Sequence, residues 1–166
     1  MRFNIPSKFR PMPVYYKPSG PSNMPLTFTA IDGDATVKLS AANNPPSVSL
    51  STSTDGGRTW SAYSVGTAIN IPSGSSVMMS GNNTTLGTNW NVSHTFVMTG
   101  KVEANGNIMS LLNFSDSFAT GTSYNFARLF FNCSGLIKTP LLPATTLVEG
   151  CYYGMFLNCS SLIEPP

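Results

Sequence analysis

The 166-residue sequence has little charge, one histidine and no long apolar run. Charged residues make up 10% of the chain, well under the roughly 25% of ordinary soluble domains, so Ser, Thr and Asn must supply the polar surface. No stretch reaches the roughly 18 consecutive apolar residues that a membrane-spanning helix needs. The composition therefore favours a β-rich protein of the kind found outside cells and in virions, without membrane insertion.

Side chains suited to catalysis or metal binding are also scarce. His94 cannot pair with Ser93 as a nucleophile, because neighbouring residues of a strand point to opposite faces. It is interpreted as a surface or core histidine. The segment Asp32-Gly33-Asp34 has too few oxygens for a calcium loop and is interpreted as a hairpin turn. We therefore expect no catalytic residue, no metal site and no cofactor.

Residues 53–60 read Ser-Thr-Asp-Gly-Gly-Arg-Thr-Trp and fit the pattern Ser-x-Asp-x-Gly-x-Thr-Trp. This pattern resembles the Asp-box of sialidase-like propellers. The resemblance implies a hairpin turn remote from any active site, in which Asp55 accepts turn amides and Trp60 packs beneath them. The motif occurs once, in a chain too short for a propeller and without a recognisable arginine cluster. A sialidase-like, glycan-acting enzyme is therefore a remote alternative, and we expect a protein without enzymatic activity.

Residues 1–25 form an extended basic arm. Their six prolines, at positions 6, 11, 13, 18, 21 and 25, exclude helix and central strand. The arm carries four basic residues and no acid, whereas the rest of the chain holds five basic and seven acidic residues. Disordered segments usually lack aromatic rings, so the arm is predicted to lie in a groove of a partner; the alternative is a frayed basic tail. The predicted partner-binding residues are Phe3, Phe9, Tyr15, Tyr16, Arg2, Lys8, Arg10 and Lys17.

Residues 26–112 alternate apolar and polar side chains in short runs separated by turn residues. This pattern is typical of strands and predicts a small antiparallel β-sandwich. Helical periodicity is missing throughout. The predicted strands lie at 26–30, 36–40, 48–52, 68–71, 76–79, 95–99 and 101–104, and residues 108–112 are interpreted as a final strand or cap.

The last forty residues contain a near repeat. Residues 130–137 return as residues 156–163, a shift of 26 positions. A period in the twenties with spaced leucine and isoleucine is typical of leucine-rich solenoids, in which each coil covers the open face of the previous one. Two of the three cysteines, Cys133 and Cys159, hold the same repeat position, so we expect stacked free thiols in preference to a disulfide. The Leu-Ile strand of each coil is expected to pair in parallel with its neighbours.

A family resemblance covers about residues 124–166. Cys133, Leu136, Pro143, Phe156 and Cys159 match the unit of the BspA-like leucine-rich repeats of surface proteins in gut Bacteroides and their relatives. The usual Ile-x-Ile-Pro strand of that family is replaced by residues 136–140, which puts the strand length in doubt. The resemblance implies adhesion to host or matrix surfaces. It also implies an array that continues beyond residue 166, because solenoids need several coils and capped ends.

Three segments are thus predicted: an anchoring arm (1–25), a β-sandwich domain (26–112) and the start of a solenoid (113–166). The first functional hypothesis is a phage structural protein, a head or tail fibre, appendage or decoration subunit. Other virion proteins would hold residues 1–25, and the array would bind a host-surface glycan or protein. A start without an apolar signal segment fits release by lysis.

The second hypothesis is an adhesin on a bacterial cell surface, whose signal is missing from the given sequence. Self-association, common among fibre proteins, is left open. Nucleic-acid binding is not predicted, because the basic character is confined to the arm and no basic stripe continues beyond it.

Overall fold

The computed structural model describes residues 24–113 and 122–163, which are mainly β. The partner-binding residues predicted in the arm all lie outside these ranges. The described residues form eight strands and one short 3-10 helix. The strands are β1 (Leu26–Ala42), β2 (Leu50–Ser53), β3 (Ser61–Tyr63), β4 (Ile69–Ile71), β5 (Ser76–Gly81), β6 (Gly87–Asn89), β7 (Val92–Asn105) and β8 (Leu136–Lys138), and the helix is Ile108–Leu111.

The strands belong to one mixed sheet with the order β3-β2-β5-β1-β7-β6. β4 pairs with the second half of β1, and β8 pairs with β7 on its outer edge. All these pairs are antiparallel except that of β7 with β8. The strands thus form one hydrogen-bonded sheet, whereas the predicted β-sandwich would have two. β1 and β7 lie at its centre and connect the strands on either side.

The segment Asp32-Gly33-Asp34 is a bulge inside β1, so its interpretation as a hairpin turn is wrong. β1 and β7 stay paired on both sides of the segment, and their register shifts between Ile31 and Thr36. Asp32 has a φ of 59°, and its carboxylate lies 3.2 Å from the ammonium of Lys101 on β7. The extra residues bend the strand without ending it. The two strands predicted at 95–99 and 101–104 are likewise one strand, β7.

Residues 108–111 form a 3-10 helix that closes one end of the core, where the sequence suggests a strand or cap. The Asn107 side chain accepts a hydrogen bond from the Met109 amide at 2.8 Å and so caps the first turn. The buried Ser110 hydroxyl accepts from the Leu26 amide at 2.9 Å and lies 3.1 Å from the Met79 carbonyl. The helix therefore ties β1 to β5.

One hydrophobic core extends from the sheet to the residues after 122. Phe28 of β1 and Phe96 of β7 meet edge to face at 4.9 Å between ring centroids. Phe130 lies within 6.4 Å of Phe28 and belongs to the same buried cluster. The boundary predicted at residue 112 is thus crossed by core contacts. None of the described segments forms a helix long and apolar enough to span a membrane.

Candidate functional site

Residues 124–133 and 150–159, here the first and second turn segments, are runs of consecutive turns. Within each segment, every second amide donates to the carbonyl three residues earlier; Ala127 donates to Tyr124 at 3.1 Å and Tyr153 to Gly150 at 2.9 Å. A residue with left-handed backbone recurs at every fourth position, with φ between 57° and 64°. These residues are Tyr124, Arg128, Asn132, Gly150, Gly154 and Asn158.

Alternate amides of the first turn segment join it to residues 149–157. Five amides of the first segment donate to carbonyls 25 residues later, at 2.9 to 3.0 Å. Strand β7 forms the layer beneath, because the Phe96 amide donates to the Leu129 carbonyl at 2.7 Å. The Phe96 amide of β7 thus donates to the first turn segment, and the amides of the first turn segment donate in the same direction, to the next layer. The five donors are Tyr124, Phe126, Arg128, Phe130 and Asn132.

A column of phenylalanine rings runs through these layers. Phe96 and Phe130 stack at 5.3 Å between ring centroids, and Phe130 and Phe156 stack at 5.5 Å with an interplanar angle of 12°. Phe130 and Phe156 therefore hold equivalent positions one layer apart, as the 26-residue shift predicts. Phe96 supplies the ring of the layer below, although it lies outside the repeat.

The predicted column of free cysteines is confirmed. The Cys133 thiol donates to the Phe96 carbonyl at 3.1 Å, and the Cys159 thiol donates to the Phe130 carbonyl at 2.9 Å. All three cysteines are buried and unpaired. Burial raises the pKa of Cys133 to about 12, and the nearby Cys159 adds to this shift. A thiol with such a raised pKa is unreactive, so Cys133 serves packing.

The predicted parallel strand is confirmed in the first coil only. β8 pairs in parallel with β7. In the second coil, the Ile163 amide donates to the Ile137 carbonyl at 3.2 Å, but residues 162–163 form no strand. On the outside of the same layers, the Asn158 side-chain amide donates to the Asn132 side-chain oxygen at 2.8 Å.

Trp90, Arg128 and Phe131 form a surface group, here the outer patch, in which Trp90 is exposed and the other two side chains are half-buried. The Arg128 guanidinium carbon lies 4.9 Å from the Trp90 ring centroid and 4.7 Å from that of Phe131. Trp90 is 45% exposed. Within the described ranges Arg128 contacts no carboxylate, and its buried Nε has no hydrogen-bond partner. An arginine fixed between rings in this way can present its free donors to an anion.

The Asp-box turn has the geometry that the sequence predicts. The Asp55 carboxylate accepts hydrogen bonds from the amides of Arg58 at 3.0 Å and Thr59 at 2.9 Å, from the Thr59 hydroxyl at 2.6 Å and from the Ser53 hydroxyl at 2.7 Å. These bonds, chiefly the one from the Thr59 hydroxyl, hold the pKa of Asp55 well below its usual range. The Trp60 indole donates to the Gly57 carbonyl at 3.1 Å.

His94 is a core histidine. It is buried, and its Nδ1 lies 2.8 Å from the Leu86 carbonyl. Burial lowers the pKa of His94, and the bond to Leu86 partly opposes this shift. The described ranges contain no group of three or more His, Cys, Asp or Glu residues that could hold a metal ion.

An open groove of about 360 Å³ runs along residues 46–49 and 82–85. Pro, Ser, Val, Asn and Thr line it, so no charged side chain faces a ligand there. Asn83 fixes the groove wall, because its side chain accepts from the Ser49 amide at 2.7 Å and donates to the Leu111 carbonyl at 2.7 Å. Its serine and threonine hydroxyls have no carboxylate, imidazole or amine among the lining residues to activate them.

The column of rings could be expected from the repeat, whereas the consecutive turns and the outer patch could not. Trp90 and Arg128 are 38 positions apart, and neither belongs to a motif. The lone arginine in an otherwise weakly charged segment is the one signal that could have marked the site. Comparison of the chain with protein-family models, with curated proteins and with solved structures gives no match.

Proposed function

We propose that the protein is a structural and surface-binding protein, in which the sheet is the base of a leucine-rich-repeat solenoid. The observation that carries this proposal is the continuity of layers from β7 into the two turn segments. Five amides of the first turn segment that all donate in one direction, and the column of Phe96, Phe130 and Phe156, link these layers. A repeat built onto a sheet in this way holds its outer side chains at fixed spacing, which suits recognition of a surface.

The proposed place of action is a phage virion, where the protein is a head or tail fibre, appendage or decoration subunit. Its support is the arm of residues 1–25, whose basic and aromatic residues suit a groove on another virion protein. The leucine-rich-repeat adhesin of a bacterial cell surface is the second candidate, supported by the resemblance of residues 124–166 to such proteins.

The outer patch is the proposed contact point for the host surface. A sugar ring can stack on the exposed face of Trp90, and the Arg128 guanidinium can pair with a carboxylate or sulfate of an acidic glycan. Arg128 is the one Lys, Arg, Asp or Glu within residues 84–97 and 122–137, so it is the main attraction for an anion in these segments.

Immunogold labelling of the producing culture tests the place of action. Antibodies against residues 24–113 should label released particles after lysis. Label that stays on the cell envelope, with unlabelled particles, would replace the virion hypothesis by the adhesin hypothesis.

Binding of the purified protein to an array of acidic and neutral oligosaccharides tests the contact point. Arg128→Gln and Trp90→Ala should each weaken binding to acidic members by roughly tenfold, the effect of one lost charge-assisted contact. Arg58→Gln removes a cation from the Asp-box turn, where the side chain is more exposed than that of Arg128, and is the control. Equal binding by all three variants would reject the outer patch.

A fluorogenic sialoside assay tests the enzyme alternative. We expect no turnover by the wild-type protein. Turnover that disappears in Asp55→Ala, while the fold is retained, would overturn the proposal that the protein is not an enzyme.

A further inference from the structure

Asn132 lies beside the outer patch, one turn further along the first turn segment. It follows Phe131 directly, and both Arg128 and Asn132 have a left-handed backbone, with φ of 57° and 61°. The Phe131 amide donates to the Arg128 carbonyl at 3.0 Å and closes the turn between them, which keeps the Cα atoms of these two residues within about 7 Å of each other. Asn132 is exposed, so its side chain and the guanidinium can contact the same ligand.

A hydrogen bond between the two turn segments orients the Asn132 side chain. Its oxygen accepts from the Asn158 side-chain amide at 2.8 Å. Within the described ranges, the Asn132 side-chain nitrogen has no hydrogen-bond partner. That nitrogen carries two donors. The surface next to the Phe131 ring therefore offers a neutral hydrogen-bond donor whose direction is already fixed.

An amide donor beside an apolar ring matches an N-acyl group. The acyl carbonyl accepts the hydrogen bond, and the acyl methyl group covers apolar surface of the ring. A sugar hydroxyl could accept the same hydrogen bond but would leave the ring uncovered. A second ionised group of the ligand would find no opposite charge here, because residues 129–137 and 150–163 contain no Lys, Arg, Asp or Glu.

We propose that the outer patch and Asn132 together bind an acidic glycan in which an N-acylated sugar adjoins the acidic one. Arg128 pairs with the acidic group, and Trp90 stacks on the ring of the acidic sugar. Asn132 donates to the acyl carbonyl of the neighbouring sugar, whose methyl group lies against Phe131. This inference rests on the proposed function of the outer patch and adds the neighbouring sugar to it.

Two synthetic disaccharides test the proposal. Both contain glucuronate joined through the same linkage to a second sugar, which is N-acetylglucosamine in one and glucose in the other. They carry the same charge and differ only in the acetamido group. NMR titration of the purified protein gives a Kd for each. The wild-type protein should bind the acetamido disaccharide roughly tenfold more tightly, the factor expected for one hydrogen bond and one partly buried methyl group.

Three variants separate the two parts of the site. Arg128→Gln should weaken binding of both disaccharides by a similar factor and keep the ratio of their affinities. Asn132→Gly should bring that ratio close to one, and glycine suits the left-handed backbone of this position, as at Gly150 and Gly154. Asn158→Gly is the matched control, because it breaks the same hydrogen bond between the turn segments but keeps the Asn132 amide, and it should keep the ratio.

If Asn132→Gly does not fold, Asn132→Asp replaces it. The aspartate keeps the size of the side chain and can accept from Asn158 but cannot donate when ionised, so the ratio should again fall. Equal affinities of the wild type for the two disaccharides overturn the inference and leave the outer patch as a site for acidic glycans. Absence of binding to either disaccharide overturns both proposals. A tenfold preference that survives the loss of the Asn132 donor also overturns the inference.

Discussion

At the scale of single residues, the two turn segments differ at their left-handed positions. The first segment has Tyr124 and Arg128 there, and the second has Gly150 and Gly154. A Cβ on Gly150 would lie 2.3 Å from a carbon of the Tyr124 ring. Position 150 therefore requires glycine for two reasons: its backbone is left-handed, and the Tyr124 ring leaves no space for a Cβ.

Gly150→Ala should destabilise the protein by more than the left-handed conformation alone explains. That conformation costs a non-glycine residue about 1–2 kcal/mol, and the Tyr124 ring must also move. Gly66→Ala is the control, because Gly66 has a φ of 92° and no atom within 4 Å of its added Cβ. Urea unfolding gives both free energies. Equal losses would show that the ring does not confine position 150.

His94 should make the protein sensitive to acid below about pH 6.5, the ordinary pKa of histidine. Its folded pKa is lowered by burial, so the unfolded chain binds the proton more readily. Stability from the neutral ring is present above the unfolded pKa and is lost as the pH falls below it. His94→Gln should flatten the fall of the unfolding free energy between pH 7.5 and 5.5. An unchanged slope would assign the acid sensitivity to other groups.

The buried thiols should resist reagents until the chain unfolds. Because the folded pKa of Cys133 is about 12, this thiol stays protonated as the pH rises past the unfolded value near 9. Its contribution to stability is therefore complete below pH 9 and is lost between about pH 9 and 12. Ellman's reagent should find no rapid reaction in the native protein at pH 8 and three sulfhydryls in the denatured, unreduced chain. A bridge between Cys133 and Cys159 would contradict the free-thiol assignment.

At the scale of elements, the sequence is a better guide to stacked residue pairs than to the ends of strands. The 26-residue shift fixes Phe130 over Phe156, because identical residues in successive layers must lie above one another. The sequence does not show that β1 continues through residues 32–34, because Asp and Gly favour hairpin turns and bulges alike. Only the partner strand, paired on both sides of the segment, distinguishes the two. The consecutive turns also give no clear signal, since Tyr124 and Arg128 hold positions at which glycine or asparagine is expected.

Phe130→Ala should cost about 3–5 kcal/mol, as expected for a fully buried aromatic ring. Phe130 has 0% exposure and lies between Phe96 and Phe156. Phe156→Ala is the matched comparison and should cost less, because that ring is only partly buried. Unfolding followed by tryptophan fluorescence and by circular dichroism measures both variants.

The same variant tests the predicted boundary at residue 112. Contact of Phe130 with Phe28 and Phe96 predicts that Phe130→Ala lowers the stability of the sheet itself, so both probes should shift together in one transition. A sheet that unfolds at its wild-type midpoint, after a separate earlier loss of the turn segments, would instead support independent domains.

At the scale of the whole molecule, contacts with the sheet begin in the last two residues of the predicted arm. The Met24 carbonyl accepts the Asn107 amide at 2.8 Å, and Pro25 forms a bridge with Asn107. Charge contributes little to the described fold, where the ion pair of Lys101 with Asp32 is largely exposed. Fold and attachment should therefore be separable, with the first determined by residues from 24 onward and the second by the basic arm.

Deletion of residues 2–22 should leave a folded protein that no longer attaches to its particle. The deletion spares Met24 and Pro25, so the thermal midpoint should stay close to that of the full chain. Co-sedimentation with particles that lack the protein measures attachment. A variant with Arg2, Lys8, Arg10 and Lys17 changed to Gln keeps the rings and removes only the charge. If charge drives attachment, this variant should bind weakly, and the wild type should lose binding as salt rises. If the deleted form is incorporated at the wild-type level, the arm is not the anchor, and the particle contact must lie on the sheet or the turn segments.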